Sequence, residues 1–342
     1  MRIVHAVRSD GFAGVERHIS RLAAGQRAAG HHVTVIGGDG PAMAAATGRA
    51  DVELVAAADS VRAVASALRD HARGADVVHV HMTAAELAAG LAGALGRRLP
   101  PVVTTRHFAA PRGSGALGAP VAALARHRVR AQIAISHYVA AHVDGPTTVV
   151  YPGVPLPPSA PPAGDRDRRV LVVQRLEPEK RTDLAIRAFA ASHLAADGWE
   201  LVVAGGGSLR EPLQALVAEL HLTSVRFLGH VADVDRLMDE AAVLLAPTPG
   251  EGLGLSVLEA LSHGLPVVAA GSGGYAETLD GLAADALYPP ADADAAGARL
   301  RRLALDERAR AAYAAAGRAR VAELFTVEAQ VRATDDVYRG VL

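Results

Sequence analysis

Short runs of β-branched residues alternate along the chain with segments whose apolar positions recur every three or four residues. Arg2–Val7 reads as a strand. Val15–Ala29 then sets Val15, Ile19, Leu22 and Ala23 on one face of a helix, and Gly30 ends it. Further strands are predicted at His32–Ile36, Val52–Val55, Val77–Val80, Val102–Thr105, Gln132–Ile135 and Thr148–Val150, with helices at Val61–Ala72, Ala84–Arg97 and Tyr138–His142. Continuous apolar strands alternating with helices predict a parallel sheet covered on both faces.

The alternation stops at Tyr151–Gly164, YPGVPLPPSAPPAG, where six of fourteen residues are proline. Such a run sustains neither a helix nor a central strand, so 151–164 reads as a semi-rigid linker. The pattern then restarts. Strands are predicted at Val170–Val173, Leu201–Ala204, Val225–Phe227, Val243–Ala246 and Pro266–Ala269. Helices are predicted at Asp183–Ala195, Leu209–Leu220, Asp233–Glu240, Gly254–His263, Asp306–Leu324 and Val327–Val341. The expected fold class is α/β, with doubly wound parallel sheets in domains 1–150 and 165–326. Ligands of open α/β sheets bind at the carboxyl ends of the strands, so both domains are expected to turn those ends to a shared cleft.

Composition narrows the function. With 342 residues, 50% of them hydrophobic, the chain has ample material for two cores. Its 35 basic and 36 acidic residues leave a net charge of −1, which argues against a dedicated nucleic-acid binder. There is no cysteine, which excludes disulfides, thiolate zinc sites and cysteine nucleophiles and fits a cytoplasmic protein. The longest uncharged apolar stretch, Leu87–Gly96, falls short of the about 20 residues a membrane span needs. The charge is uneven: residues 1–150 carry sixteen arginines against ten acidic residues, and the rest carries nineteen basic against twenty-six acidic residues. Arg126, Arg128 and Arg130 in the basic half suggest an anionic acceptor or a peripheral place at a membrane surface.

Four segments carry candidate chemistry. In Pro247–Gly274 a strand runs into a turn holding Gly250, Gly252 and Gly254, and a helix opens near Leu255. That geometry aims backbone N–H groups and a positive dipole end at an anion. Glu251 and Glu259 lie eight residues apart, about 12 Å at helical rise, comparable to the span from sugar to ribose in a nucleotide sugar. The bland alternative is two carboxylates on a solvated helix face. In Gln174–Thr182, Arg175 flanks the end of a strand together with Lys180, the only lysine in a chain with 34 arginines. A lone compact ammonium suggests a specific task, such as neutralising a diphosphate, although a solvated basic turn has the same residues. Gly11 and Gly14 in Asp10–Glu16, and Gly205–Gly207, are glycine turns that match no complete dinucleotide or Walker pattern. His79, His81 and His107 lie at strand ends. A His-x-His zinc site lacks a visible third ligand, so no metal is expected, and His79 by itself reads as a satisfied interior histidine.

In these residues the chain resembles glycosyltransferase family 4 enzymes of the GT-B fold. The matching pieces are Gly14-Val15-Glu16, the run Asp76–His81, Thr105-Arg106-His107, Arg175-Leu176 with Lys180, Gly205–Gly207, and Glu251 through Glu259-Ala260-Leu261, followed by Gly264–Val268. The resemblance implies two Rossmann-like domains facing across a cleft and retaining transfer of a sugar from a nucleoside-diphosphate sugar, without a cofactor or an essential metal. It places Arg175 and Lys180 on the diphosphate, and the amides of Gly252, Leu253, Gly254 and Leu255 on sugar and phosphate. Glu251 falls to the sugar hydroxyls, Glu259 to the ribose, Gly14 to the diphosphate from the first domain, and His107 beside the transferred sugar. It also implies a uridine donor ahead of a guanosine one, and a final helix, 327–342, that crosses back onto the first domain. A GT-B epimerase and a non-catalytic nucleotide-sugar-binding protein are the rival readings; a nicotinamide dehydrogenase lacks its glycine fingerprint.

Overall fold

The computed structural model describes residues 1–48, 50–94, 99–113 and 118–342. The end of the helix expected at Ala84–Arg97 therefore lies in part outside the described residues; its described portion is Met82–Ala94. The chain divides into two compact units, Met1–Gly153 with Phe325–Leu342, and Val154–Leu324.

The first unit holds seven strands: β1 (Arg2–Val7), β2 (His32–Ile36), β3 (Glu53–Val55), β4 (Val77–His81), β5 (Val102–Arg106), β6 (Val129–Ala134) and β7 (Thr148–Val149). They form one sheet in the order β3-β2-β1-β4-β5-β6-β7, and every pair is parallel. Side chains alternate between its faces. Val4, Ala6, Val78 and Val80 enter an apolar layer with the helices Val61–His71 and Met82–Ala94. On the opposite face, Ile3, Val77 and Val103 pack with Tyr338 of the helix Val327–Arg339.

The loop after β5, which carries His107, is tied down by charge. Buried Arg112 makes a two-pronged pair with buried Glu86 at 2.6 and 2.8 Å, and donates to Asp144 at 2.8 Å. Arg106 also donates to Asp144, and to the carbonyl of Ala110. Removing one member of such a buried group strands the others, which is what makes the cluster rigid.

The second unit holds β8 (Asp167–Val173), β9 (Glu200–Ala204), β10 (Val225–Gly229), β11 (Ala241–Ala246), β12 (Val267–Ala270) and β13 (Leu287–Tyr288). They form a parallel sheet in the order β10-β9-β8-β11-β12-β13. In both sheets the strand order turns back beside the first strand of the unit, which is the doubly wound arrangement.

Several expectations need correction. Within the stretch expected to be a semi-rigid linker, 151–164, Pro152, Gly153 and Val154 are buried, and residues 154–164 cluster with the second unit. At Gly153 a Cβ would stand 2.4 Å from the Cα of Val327, so glycine is required where the chain passes the final helix. That helix belongs to the first unit. The helix expected to run to Ala195 stops at Ser192, because His193 takes a left-handed turn at φ 54°. The helix Ala293–Leu305 and strand β13 were not foreseen. The helix buries Ala296, Gly297, Leu300, Leu303 and Ala304. At Gly297 a Cβ would stand 2.7 Å from the carbonyl oxygen of Ala188.

Candidate functional site

In the second unit, β8 ends at Val173 and the chain turns through Gln174. The Gln174 amide donates to the Lys180 carbonyl and to the Thr182 hydroxyl, each at 2.9 Å. Thr248, just beyond β11, donates to the Gln174 side chain at 3.2 Å and to the Lys180 carbonyl at 3.3 Å. This clamp holds Arg181 at φ 54°, an uncommon conformation for a residue with a side chain. The result is a fixed ammonium: Lys180 Nζ lies 2.6 Å from Glu251 Oε2, with both side chains about one fifth exposed, at 20% and 24%. Two residues 71 apart in sequence thus meet as one charge pair. Arg175 stands differently. It is 59% exposed and pairs with Glu179 at 2.8 Å, so the structure does not bring it to the Lys180–Glu251 pair.

The glycine turn after β11 is shaped by backbone contact. Gly254 sits at φ 90°, and a Cβ there would lie 2.3 Å from the ring of Tyr275. The N–H of Gly274 donates to the Glu251 carbonyl at 2.8 Å, and a Cβ on Gly274 would meet the Cα of Leu253 at 2.4 Å. A second glycine pair, Gly273-Gly274, therefore supports the first turn; its role was not read from the sequence. Tyr275 is buried, which together with the charge of Glu251 pushes its phenol well above its ordinary value. Helix Leu255–Ser262 starts from Gly254 with no side chain capping it. Gly252, Leu253 and Gly254 are buried, and Leu255 is half-buried.

Glu251 precedes this helix, so the 12 Å helical spacing to Glu259 does not apply; only the last part of that stretch is helical. Nor do the two carboxylates lie on a solvated face. Glu259 is 4% exposed, and Glu251 is ion-paired.

In the first unit Gly14 opens the helix Gly14–Ala28 and is exposed. Buried Glu16 reaches back to accept the Ala13 N–H at 2.8 Å, fixing this loop. Four residues after Gly14, His18 enters a cluster with His5, His79, His81 and His107, all buried. The strand register explains the grouping: His5 lies opposite His79 across β1 and β4, and His81 is two residues on, on the same face. His5 Nδ1 is 3.0 Å from His81 Nε2, and His81 Nδ1 is 3.1 Å from His107 Nε2. His79 joins Tyr338 at 2.6 Å and Thr105 at 2.7 Å, the satisfied interior position expected for it.

Spacing alone showed no third ligand beside His79 and His81, and the fold corrects that reading. His5, His79 and His81, and also His18, His81 and His107, each offer nitrogens within 4.8 Å of one another. Most of those nitrogens are committed to one another or to Gln26, Tyr338 and Thr105. The signal that could have shown His5 with the others is the alternation in RIVHAV and VVHVH, which sets the imidazoles on one face of adjoining strands.

Burial holds all five rings in the neutral form. His5 is lowered to about 4 and His107 to about 3, with desolvation the leading cause in each. His18, His79 and His81 are pushed well below their ordinary value by burial and then by neighbouring imidazoles.

Two family models match the chain: Glycosyltransferase Family 4 over residues 12–156, and Glycosyl transferases group 1 over residues 159–320. A lipopolysaccharide core biosynthesis mannosyltransferase, LpsB, from Rhizobium meliloti is 30% identical over 241 residues, 63% of this chain and 67% of the relative. A GDP-mannose-dependent alpha-(1-6)-phosphatidylinositol monomannoside mannosyltransferase from Mycolicibacterium smegmatis is 35% identical over 164 residues, 44% of this chain and 43% of that protein. The match thus spans less than half the length of that second relative. Among solved structures, HepE from Anabaena in complex with UDP-glucose superposes with a TM-score of 0.83 at 20% identity, covering 99% of this chain and 100% of that one.

The buried histidines set a pH dependence of stability. Each is depressed in the folded state and ordinary, near 6.5, once unfolded, so below 6.5 the unfolded chain binds more protons. Stability is complete above that value and falls as pH drops, by about 1.4 kcal/mol per pH unit for each ring until the folded value is reached. Urea unfolding at pH 7.5 and pH 5.5 is expected to show a clear loss at the lower pH. Equal midpoints would mean that the rings are not held neutral.

Proposed function

The chain belongs to glycosyltransferase family 4, and from that premise we propose that it moves a sugar, with retention of configuration, from a nucleoside-diphosphate sugar to an acceptor hydroxyl. Its two Rossmann-like units are those of the GT-B fold. The observation that carries the site assignment is the Lys180–Glu251 pair beside the glycine turn and helix start at Gly254–Leu255.

Cleaving the bond between sugar and diphosphate leaves negative charge on the departing phosphate and positive charge on the sugar. Lys180 and the amides from Gly252 to Leu255 meet the first. Glu251 is the carboxylate next to them, suited to sugar hydroxyls. Buried Glu259 is assigned to the ribose. Arg175, exposed on the rim, is assigned to the diphosphate as a second cation. In the first unit Gly14 is assigned to the diphosphate and His107 to the transferred sugar. His107 is neutral at physiological pH, so it acts as a hydrogen-bonding group and not as a cation. The departing phosphate oxygen takes the proton of the acceptor hydroxyl. The mechanism needs no further cofactor or metal.

The donor is assigned as a uridine diphosphate sugar. HepE, whose fold matches along nearly the whole chain, supports this through the UDP-glucose of its complex. The GDP-mannose dependence of the mycobacterial relative is the competing expectation. The acceptor is assigned as anionic and at a membrane surface. Supporting this are exposed Arg126 and Arg130, beside Leu124 at 51% exposure. The relatives' names, which refer to lipopolysaccharide and phosphatidylinositol mannoside, agree. No helix among the described residues is long and apolar enough to cross a membrane.

In a thermal-shift comparison, UDP is expected to raise the melting temperature more than GDP at equal concentration, because ligand binding to the native state adds stability in proportion to affinity. The reverse order would replace uridine by guanosine, and no shift with either would count against the donor site. Lys180→Ala is expected to fold normally and lose roughly 10²–10³ in kcat, the usual cost of removing one charge-stabilising donor. Unchanged turnover at saturating donor would remove Lys180 from the mechanism. Sedimentation with anionic vesicles at physiological salt is expected to carry the protein down; protein left in the supernatant would end the membrane assignment.

A further inference from the structure

The histidine cluster contains an unbroken line of hydrogen bonds, and the line has a direction. Gln26 Oε1, an oxygen that can only accept, lies 2.7 Å from His5 Nε2, so His5 carries its proton there. A neutral imidazole has one N–H, and His5 Nδ1 is therefore an acceptor. Its partner at 3.0 Å, His81 Nε2, must carry the proton. His81 Nδ1 is then an acceptor in turn, and its partner at 3.1 Å, His107 Nε2, must carry a proton as well. The sequence of donors and acceptors ends with the lone pair of His107 on Nδ1.

The Gln26 amide, which starts the line, places its oxygen on His5 and its nitrogen on Tyr338. Gln26 Nε2 donates to the Tyr338 hydroxyl at 3.3 Å. That hydroxyl gives its own proton to His79 Nδ1 at 2.6 Å, and His79 Nε2 then donates to Thr105 Oγ1 at 2.7 Å. With the Gln26 amide oxygen facing His5, one arrangement of protons satisfies every one of these contacts; turning that amide over would reverse them all, because the Tyr338 and Thr105 hydroxyls can each donate or accept. It also assigns the ring nitrogens without a metal, since His81 Nδ1 and His107 Nε2 share a proton where a cation would need two lone pairs.

We propose that His81 is a positioning residue for sugar transfer: backed by His5 and Gln26, it fixes His107 as the Nε2–H tautomer, so that Nδ1 is the acceptor His107 offers to a hydroxyl of the sugar. This rests on the assignment of His107 to the transferred sugar. In the opposite tautomer His107 would present an N–H in place of the lone pair, and a hydroxyl arranged to donate would meet a second donor. The line therefore carries the amide orientation of Gln26, two imidazoles away, into the hydrogen-bonding polarity of His107.

The test uses the full chain, labelled with ¹⁵N in its histidine rings, treated with a chelator and studied at pH 7.5 by long-range ¹H–¹⁵N spectra. Signals are assigned by single histidine substitutions. His5, His81 and His107 are expected to be neutral Nε2–H rings. In His81→Asn the amide oxygen replaces the Nδ1 acceptor, and His107 is expected to keep its tautomer. In His81→Leu no acceptor remains, and the Nδ1–H form of His107 is expected to appear. Kinetically, His81→Leu is expected to lower kcat at least tenfold with donor KM within about twofold, and His81→Asn to recover most of it, provided that both variants melt cooperatively. An Nδ1–H or doubly protonated His107 in the unaltered protein would overturn the proposal. So would equal loss in both variants, or ring signals moved to metal-bound positions by one equivalent of ZnCl2. The spectrum needs no substrate. The expected tautomers in a protein that transfers no sugar would sink the transferase reading and leave the ring assignment standing.

Discussion

A covered parallel sheet buries both of its faces, and any polar side chain set into it must find its partners there. In the first unit this constraint decides almost everything about the candidate site. One face of β1 and β4 sets Val4, Ala6, Val78 and Val80 into an apolar layer. The other face carries His5, His79 and His81 toward the carboxyl ends of the strands. Water does not reach them, so they pair with one another and with groups from two helices. The cost of charging a ring in that setting keeps the whole cluster neutral.

The second unit uses a different solution to a related problem. A cation is wanted where a strand ends, and it is held by a clamp. The Gln174 amide donates to the Lys180 carbonyl before Arg181 and to the Thr182 hydroxyl after it, and Thr248, just beyond β11, reaches the same carbonyl. Lys180 and Glu251 compensate each other's charge at the mouth of a glycine turn, a turn whose shape is set by the ring of Tyr275 and the backbone of Gly273-Gly274. Both units therefore present chemistry at strand ends, one as neutral hydrogen-bonding groups and the other as fixed charges.

Arg175 and Lys180, near neighbours in sequence, take different partners. Arg175 is exposed and paired with Glu179, while Lys180 is drawn in to Glu251. Gly153 makes the converse point. It sits in a proline-rich run that reads as linker, but its N–H donates to Gln330 and leaves no room for a side chain.

Local pattern was enough to identify the two α/β units, most of their strands, the glycine turn at Gly250–Gly254 and the singular Lys180, because each is written in neighbouring residues: periodicity, glycine spacing, one lysine among arginines. The helix Ala293–Leu305 went unread although Leu300 and Leu303 mark its buried face, the rest of which is alanine and glycine. The site was legible where it is contiguous and illegible where it is assembled. His5 meets His81 across 76 residues, His79 meets Tyr338 across 259, and His18 meets Gln330 across 312. Those partnerships depend on strand order and on the final helix joining the first unit, which no stretch of sequence specifies by itself. Composition determined that histidines would be present; only the register of β1 against β4 decided that they would share a buried face and pass one proton pattern to His107.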